Sequence, residues 1–195
     1  MQDTQHPRAA QILQFWFADY ERTGNTDPRW FRKDPAFDAQ VRTRFLALHE
    51  EAAAGKLAAW RTSPGDCLAL VVALDQFPRN MFRFPADEAA RAFAADTLAL
   101  ATAKHAVDSG YDTGLAPVER LFLYLPFEHS ESLDEQWRSI ALMSRLEAYP
   151  ETAGILSFAV RHWEIVRRFG RFPHRNAALG RAGTPEETEF LKQPG

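Results

Sequence analysis

The sequence predicts an all-α protein, and three observations lead to this prediction. Glycine and proline divide the 195 residues into segments of helical length, and apolar residues recur within them at spacings of three and four. Almost no stretch alternates apolar and polar residues with the period of two that a half-buried strand requires. Hydrophobic residues form 46% of the chain, which is enough for a sizeable core. We expect a single helical domain over residues 1–195, with about seven to eight helices.

Four helices are predicted in the first half of the chain. Apolar stripes at helical spacing define the first two: Ile12, Leu13, Trp16 and Phe17, then Phe37, Val41, Phe45 and Leu48. A third helix begins after Ser63, a typical N-cap residue, and its apolar run over residues 67–77 is expected to end at Pro78. A fourth helix is expected over residues 87–107.

Four more helices are predicted in the second half. A short helix is expected to begin at Pro117 and to end at Pro126. Capping signals predict another helix after Ser132 and a short terminal helix after Thr184. Between them, a long helix is expected over residues 151–169. The short connections favour antiparallel neighbours.

Composition excludes several classes of partner. The net charge of -3 gives no general attraction to nucleic acid or to anionic membranes, although residues 161–181 contain six arginines and one acid, Glu164. The first ten residues lack the apolar core of a secretory signal, and the longest apolar run, residues 68–74, is too short to cross a bilayer. We therefore expect a cytoplasmic protein. Its one cysteine, Cys67, excludes an intrachain disulfide.

Candidate binding residues gather around two Phe-Pro pairs. Four polar side chains surround the first pair at Pro78: Asp75, Arg79, Asn80 and Arg83. The second pair follows the last long helix and has a similar set: Arg171, His174, Arg175 and Asn176. Guanidinium groups bind carboxylates and phosphates well because they donate two parallel hydrogen bonds. The pattern indicates that two helix ends present polar groups to one anion-binding pocket.

Helical periodicity turns three polar residues toward the interior: Asp75, Asp96 and His162. A buried carboxylate needs a partner, and Arg79 lies one helical turn after Asp75. A structural interpretation is that Asp75 and Arg79 only brace the chain where the proline leaves backbone groups unpaired.

His129 and Glu131 belong to a predicted turn, from which both can reach the same pocket. A metal-assisted hydrolase is a second alternative, which would require His129, His162, His174 and a carboxylate to meet in space around a metal. The chain has no closely spaced pair of histidines or cysteines typical of metal sites, so neither a metal site nor a cofactor is predicted.

Several segments together resemble a bacterial family, domain of unknown function 924. The matching segments are FWF at residues 15–17, LDQFPRN at 74–80, PFEHSE at 126–131, FGRFPHRN at 169–176 and LGR at 179–181. The resemblance implies antiparallel helix pairs in a right-handed array like that of tetratricopeptide-repeat proteins, and it implies no established activity. Residues 84–88 depart from the family pattern and look like an insertion.

The sequence thus predicts a pocket for a small anionic metabolite, with a carboxylate or phosphate group, and leaves open whether the protein is an enzyme. The alternative is a tetratricopeptide-like scaffold that binds a partner peptide through its carboxylate. The pocket hypothesis requires the two Phe-Pro segments to meet in space.

Overall fold

The computed structural model describes residues 6–24, 26–83 and 86–193. These residues form nine α-helices and contain no strand: α1 (Pro7–Thr23), α2 (Pro35–Ala53), α3 (Pro64–Val71), α4 (Phe77–Met81), α5 (Asp96–Asp108), α6 (Pro117–Glu128), α7 (Leu133–Met143), α8 (Ile155–Phe169) and α9 (Pro185–Phe190). The prediction of an all-α protein is confirmed. The tetratricopeptide-like array stays a prediction. Of the insertion-like segment, Phe84 and Pro85 lie outside the described residues.

One apolar cluster extends from α1 to α8. The α1 helix packs against α3 and α2 packs against α4, while α5 and α6 cover α3. Trp16 lies at the centre, with its ring 5.7 Å from that of Phe77 and 5.5 Å from that of Phe122. Such edge-to-face aromatic pairs add to the burial of apolar area. None of the helices in the described ranges has the length and apolar character that a membrane span requires.

Pro78 does not end the third helix, and the prediction that it does is wrong. Between α3 and α4 the chain forms a π turn, Val72–Gln76, in which the Phe77 N–H donates to the Val72 carbonyl oxygen. Proline lacks an N–H and crowds the preceding turn of a regular α-helix. The wider π turn shifts the hydrogen bonds by one residue, so the helical path continues through Pro78 as far as Met81.

Two other predicted helix boundaries also move. Pro126 lies inside α6, which continues to Glu128, so residues 127 and 128 belong to a helix rather than to a turn. The long helix expected from residue 151 begins only at Ile155, because Gly154 has a φ of 88°, outside the helical region. The fourth predicted helix is divided into a 3₁₀ segment, Ala86–Ala92, and α5.

Candidate functional site

The two Phe-Pro segments meet at Asp96, the first residue of α5. Arg79 donates from Nη2 to Oδ2 of Asp96 at 3.0 Å, and Arg175 donates from Nη1 to the same oxygen at 3.0 Å. Both guanidinium groups are largely buried, since the Arg79 and Arg175 side chains are 17% and 7% exposed. The half-buried Asp96 carboxylate offsets their charges and joins the two segments.

Asp75 lies in the π turn, fully buried, and three side chains contact its carboxylate. Oδ1 is 2.8 Å from Nδ1 of His129 and 3.1 Å from Nη1 of Arg79, and Oδ2 accepts a hydrogen bond from Nε2 of Gln76 at 2.6 Å. Burial alone would raise the pKa of Asp75, but the charge of Arg79 and the hydrogen bonds from His129 and Gln76 outweigh burial and lower the pKa. Asp75 therefore stays ionised.

Arg79 also stabilises the π turn itself. Its Nη1 donates to the main-chain carbonyl oxygen of Asp75 at 2.7 Å. A wider turn leaves carbonyl groups without their usual helical donors, and a guanidinium group can replace such a donor. This contact is of the kind expected if Asp75 and Arg79 brace the chain near Pro78. It does not prevent neighbouring residues from binding a ligand.

His129 follows the last residue of α6 and is held from two sides. Its carbonyl oxygen accepts from Nη2 of Arg175 at 2.9 Å, and its Nδ1 faces the ionised Asp75. Because an ionised carboxylate only accepts hydrogen bonds, Nδ1 carries the ring proton and Nε2 is the acceptor. Burial and the charge of Arg79 lower the pKa of His129, so the ring is neutral at neutral pH.

A cavity of about 410 Å³ lies beside this cluster. Its apolar walls are Trp30, Phe31, Leu125, Ile155 and Phe158. Five of the predicted site residues also line it: Arg79, Asn80, Arg83, His129 and His162. Asp75 lies behind Arg79 and His129. The cavity combines aromatic walls with a few convergent polar groups, as small-molecule sites commonly do.

Glu128 lines the same cavity, although sequence reasoning did not select it. The residue is 4% exposed, its Oε1 is 3.2 Å from Nδ1 of His162, and within the described residues its Oε2 has no hydrogen-bond partner. Burial and the charge of Asp75 raise the pKa of Glu128 to about 8. The carboxyl group is therefore mainly protonated at neutral pH and can donate a hydrogen bond into the cavity.

His162 projects from α8 next to Glu128. Its Nδ1 donates to the Phe158 carbonyl oxygen at 2.8 Å and lies within reach of Glu128. Burial lowers the pKa of His162 to about 4, so the ring is neutral at neutral pH. Because Nδ1 of His162 carries a proton and donates it to Phe158, it cannot accept the Glu128 proton, and Oε2 is the carboxyl oxygen left to carry that proton.

Arg83 is held less closely than Arg79. Its Nε is 3.4 Å from Oδ2 of Asp38, and its Nη1 donates to the Arg32 carbonyl oxygen at 3.4 Å. Asn80 donates from Nδ2 to Oδ1 of the same Asp38 at 2.8 Å. These long contacts to Arg83 are weaker than charge-assisted hydrogen bonds of ordinary length. Arg83 is therefore the lining cation that can most easily turn toward a ligand.

The remaining predicted site residues do not line this cavity. Arg171 donates from Nε and Nη2 to Glu187 at 2.6 and 2.8 Å, and Asn176 donates to Glu187 at 3.2 Å, so both hold α9 against the chain. Glu131 accepts from Arg181 at 2.8 Å and from the Phe172 N–H at 2.8 Å.

Three of the predicted site residues, Glu131, His174 and Arg175, line two neighbouring cavities instead. Arg175 and Glu131 line one of about 250 Å³, which also touches His129. His174 lines one of about 480 Å³ beside Phe172, where burial and the charge of Arg175 lower its pKa to about 4. In the described part of the chain, no three His, Cys, Asp or Glu side chains are arranged to hold a metal ion.

Sequence reasoning missed three polar residues at or next to the cavity, and a signal existed for two of them. Glu128 continues the face of Leu121 and Leu125 at helical spacing, but the expected end at Pro126 hid this. Asp38 likewise shares a face with Val41 and Phe45 and is buried. For Gln76, whose direction depends on the π turn, periodicity gave no signal.

Comparisons with known proteins agree with the sequence resemblance. The model of the family described as bacterial protein of unknown function (DUF924) matches residues 12–195. Among solved structures, the protein of unknown function ATU0120 from Agrobacterium tumefaciens is 39% identical, with a TM-score of 0.82 over 96% of this chain and 98% of that chain. No curated protein shows significant similarity to the sequence. The chain belongs to the DUF924 family of bacterial proteins of unknown function.

Proposed function

We propose that the protein binds a small molecule with an apolar body and a single carboxylate group in the 410 Å³ cavity. The observation that carries this proposal is the pairing of two donors, Arg83 and Glu128, with a wall of aromatic and aliphatic side chains. Cavities of about 300–1,000 Å³ are typical of small-molecule sites, and a few polar groups in them fix the ligand's orientation.

The charge distribution favours a monoanion over a phosphate. Asp75 and Asp96 already offset the charges of Arg79 and Arg175. Arg83 is the remaining lining arginine, and Asp38 balances it only at 3.4 Å. One guanidinium group and one neutral carboxyl group suit a singly charged carboxylate, which accepts a hydrogen bond from each.

The proposed ligand's apolar body would contact Trp30, Phe31 and Phe158. Phe31 and Phe158 are 59% and 56% exposed. Covering such side chains favours binding, by about 25 cal/mol for each Å² of apolar area removed from water. Aromatic or branched aliphatic carboxylates should therefore bind more tightly than acetate.

Isothermal titration calorimetry tests the proposal. The ligands are a panel of carboxylates, from acetate to phenylacetate, and the uncharged phenylacetamide. We expect phenylacetate to bind more tightly than acetate or phenylacetamide, and Arg83→Gln to weaken phenylacetate binding at least about tenfold, a loss of 1.4 kcal/mol. Arg22→Gln is the control, because Arg22 is 71% exposed in an ion pair on α1, outside the cavity.

Two results would count against the proposal. Equal affinity for phenylacetate and phenylacetamide would remove the role of the carboxylate, and unchanged binding by Arg83→Gln would remove that of the arginine. Binding of peptides with a free terminal carboxylate, but of no small carboxylate, would favour the scaffold alternative instead.

A further inference from the structure

We propose that the same cavity catalyses proton transfer beside a carbonyl group, with His129 as the base and Glu128 as the acid, and that its substrates are 2-oxo carboxylates with an apolar side chain. This inference rests on the proposed function, because Arg83 would hold the substrate's carboxylate in the cavity. Glu128, which would donate to the carboxylate of a simple acid, would donate instead to the adjacent carbonyl oxygen of a 2-oxo acid. The reaction interconverts the oxo form of the substrate and its enol.

The base is defined by the contact between His129 and Asp75. A fully buried carboxylate 2.8 Å from Nδ1 fixes the proton on that nitrogen and orients the ring. Arg79 and Gln76 hold Asp75 in place in turn. A histidine oriented in this way presents Nε2 as a proton acceptor, which is the arrangement that general-base catalysis uses.

Glu128 is assigned as the acid because its Oε2 has no hydrogen-bond partner within the described residues. Oε1 is 3.2 Å from Nδ1 of His162, whereas Oε2 is buried without a partner among the described residues, in a side chain that lines the cavity. A buried polar atom without a partner is costly unless a ligand pairs with it. A substrate carbonyl oxygen would accept the proton that Oε2 carries.

The charged groups around Glu128 and His129 favour opposite roles for them, acid for Glu128 and base for His129. In the described part of the chain, the charged and titratable groups that act on them are Asp75, Arg79, Asp96, His162, His174 and Arg175. Glu128 has a raised pKa of about 8 and His129 a lowered one, so a protonated acid and a neutral base coexist at neutral pH. Neighbouring groups whose pKa values are moved in this manner commonly divide acid and base work between them.

The residue types of the cavity favour this reaction class over covalent catalysis. Its described lining contains no serine, threonine, cysteine or lysine. The hydroxyl, thiol and amine groups that usually form covalent intermediates are therefore missing from the lining, and histidine and glutamic acid are the groups placed for proton transfer.

The step balances without a co-reactant. Nε2 of His129 takes a proton from the carbon next to the carbonyl group, and the C–H electron pair becomes the C=C bond of the enol. The carbonyl π electrons take the Glu128 proton to form the enol hydroxyl. The substrate loses one proton and gains one, and proton exchange with water returns His129 and Glu128 to their starting states.

Hydrogen–deuterium exchange in D₂O tests the inference. Proton NMR measures the rate at which the hydrogens at C3 of phenylpyruvate and of 4-methyl-2-oxopentanoate are replaced. We expect the wild-type protein to accelerate exchange above the buffer rate, and His129→Gln and Glu128→Gln each to lower that rate about 100-fold or more. His105→Gln is the control: His105 is an exposed histidine on α5 outside the cavity, and its replacement should leave the rate unchanged.

The pH profile adds a readout on the unaltered protein. The rate should rise as His129 loses its proton and fall above about pH 8 as Glu128 ionises. Titration calorimetry with the same two acids separates the two proposals. Binding with exchange at the buffer rate overturns the acid–base assignment and leaves the binding proposal intact. Exchange that survives both His129→Gln and Glu128→Gln overturns the assignment as well.

Discussion

Arg79 and Arg175 donate to one and the same carboxylate oxygen, Oδ2 of Asp96, each at 3.0 Å. Two guanidinium groups from distant parts of the chain therefore share one half-buried negative charge, and Arg79 also pairs with Asp75. Removing one partner from a buried ion pair costs more than the pair contributes, because the remaining charge stays buried without compensation.

Replacing Asp96 with asparagine should destabilise the protein by about 3 kcal/mol, the lower part of the range for breaking a buried ion pair. Asp96 is partly exposed, at 20%, which argues for the lower part. Urea denaturation followed by circular dichroism measures the change. Asp108→Asn is the control: Asp108 pairs with Arg138 but is 62% exposed, so the loss should stay within about 0.5 kcal/mol. Equal losses in both variants would contradict the role of Asp96.

Glu128 should make the protein less stable as the pH rises from 6.5 to 8. In this window the folded protein keeps the Glu128 proton, whose pKa is about 8, whereas the unfolded chain, with an ordinary value of 4.5, has lost it. A folded state that binds more protons loses stability with rising pH, here by about 2 kcal/mol over 1.5 units. Buried histidines with lowered pKa values, such as His129 and His162, add stability over the same window in both proteins. Urea denaturation at several pH values should therefore show the decline as a fall in the stability of the wild type relative to Glu128→Gln. A difference between the two proteins that stays constant with pH would show that Glu128 does not cause it.

Arg171 should affect the C-terminal helix rather than ligand binding. Its two hydrogen bonds to Glu187 hold α9, and the Glu187 carboxylate also accepts from the Thr184 N–H at 2.7 Å. We expect Arg171→Gln to increase amide exchange over residues 184–191 at least about tenfold, as local opening becomes easier. Hydrogen-exchange mass spectrometry measures it. Arg168→Gln removes an exposed pair with Glu186 and should change little. If Arg171→Gln lost carboxylate binding, Arg171 would be a binding residue after all, and this prediction would be wrong.

Phe158 should contribute to binding and hardly at all to stability. The side chain is 56% exposed and lines the cavity, so it gains most of its burial from a ligand. Phe158→Ala should weaken phenylacetate binding about tenfold and change the free energy of unfolding by less than about 0.5 kcal/mol. Calorimetry and urea denaturation measure the two effects. Trp137 is 55% exposed outside the cavity, and Trp137→Ala should leave the affinity unchanged.

Helix positions were predictable from the sequence where caps and apolar periodicity agreed. Asp34 and Ser63 cap α2 and α3, and Thr184 caps α9, because their side-chain oxygens accept from free N–H groups. Proline was misleading at Pro78 and Pro126. Its effect depends on whether neighbouring turns can redistribute the hydrogen bonds, and this depends on tertiary packing.

The candidate site was predictable to a similar extent. Residue type and spacing pointed to Arg79, His129 and the second Phe-Pro segment, whose approach to the first is visible in the structure. The partner of each arginine was not predictable, because pairing is decided by the packing of distant helices. Arg171 and Asn176 resemble binding residues in sequence and are held by Glu187, which nothing in the local pattern indicated.

The π turn makes chain length, and not only residue identity, a constraint on the cavity. A π turn holds one residue more than an α turn, and each residue of a helix rotates the chain by about 100°. Deleting Val72 or Ala73 would shorten the turn by one residue and rotate α4 relative to α3 by about that angle, and it would set Pro78 against a regular α turn. Arg79 and Asn80 would then leave the cavity even though every side chain that lines it was retained, so a conservative apolar exchange at Val72 or Ala73 is tolerable where a deletion is not.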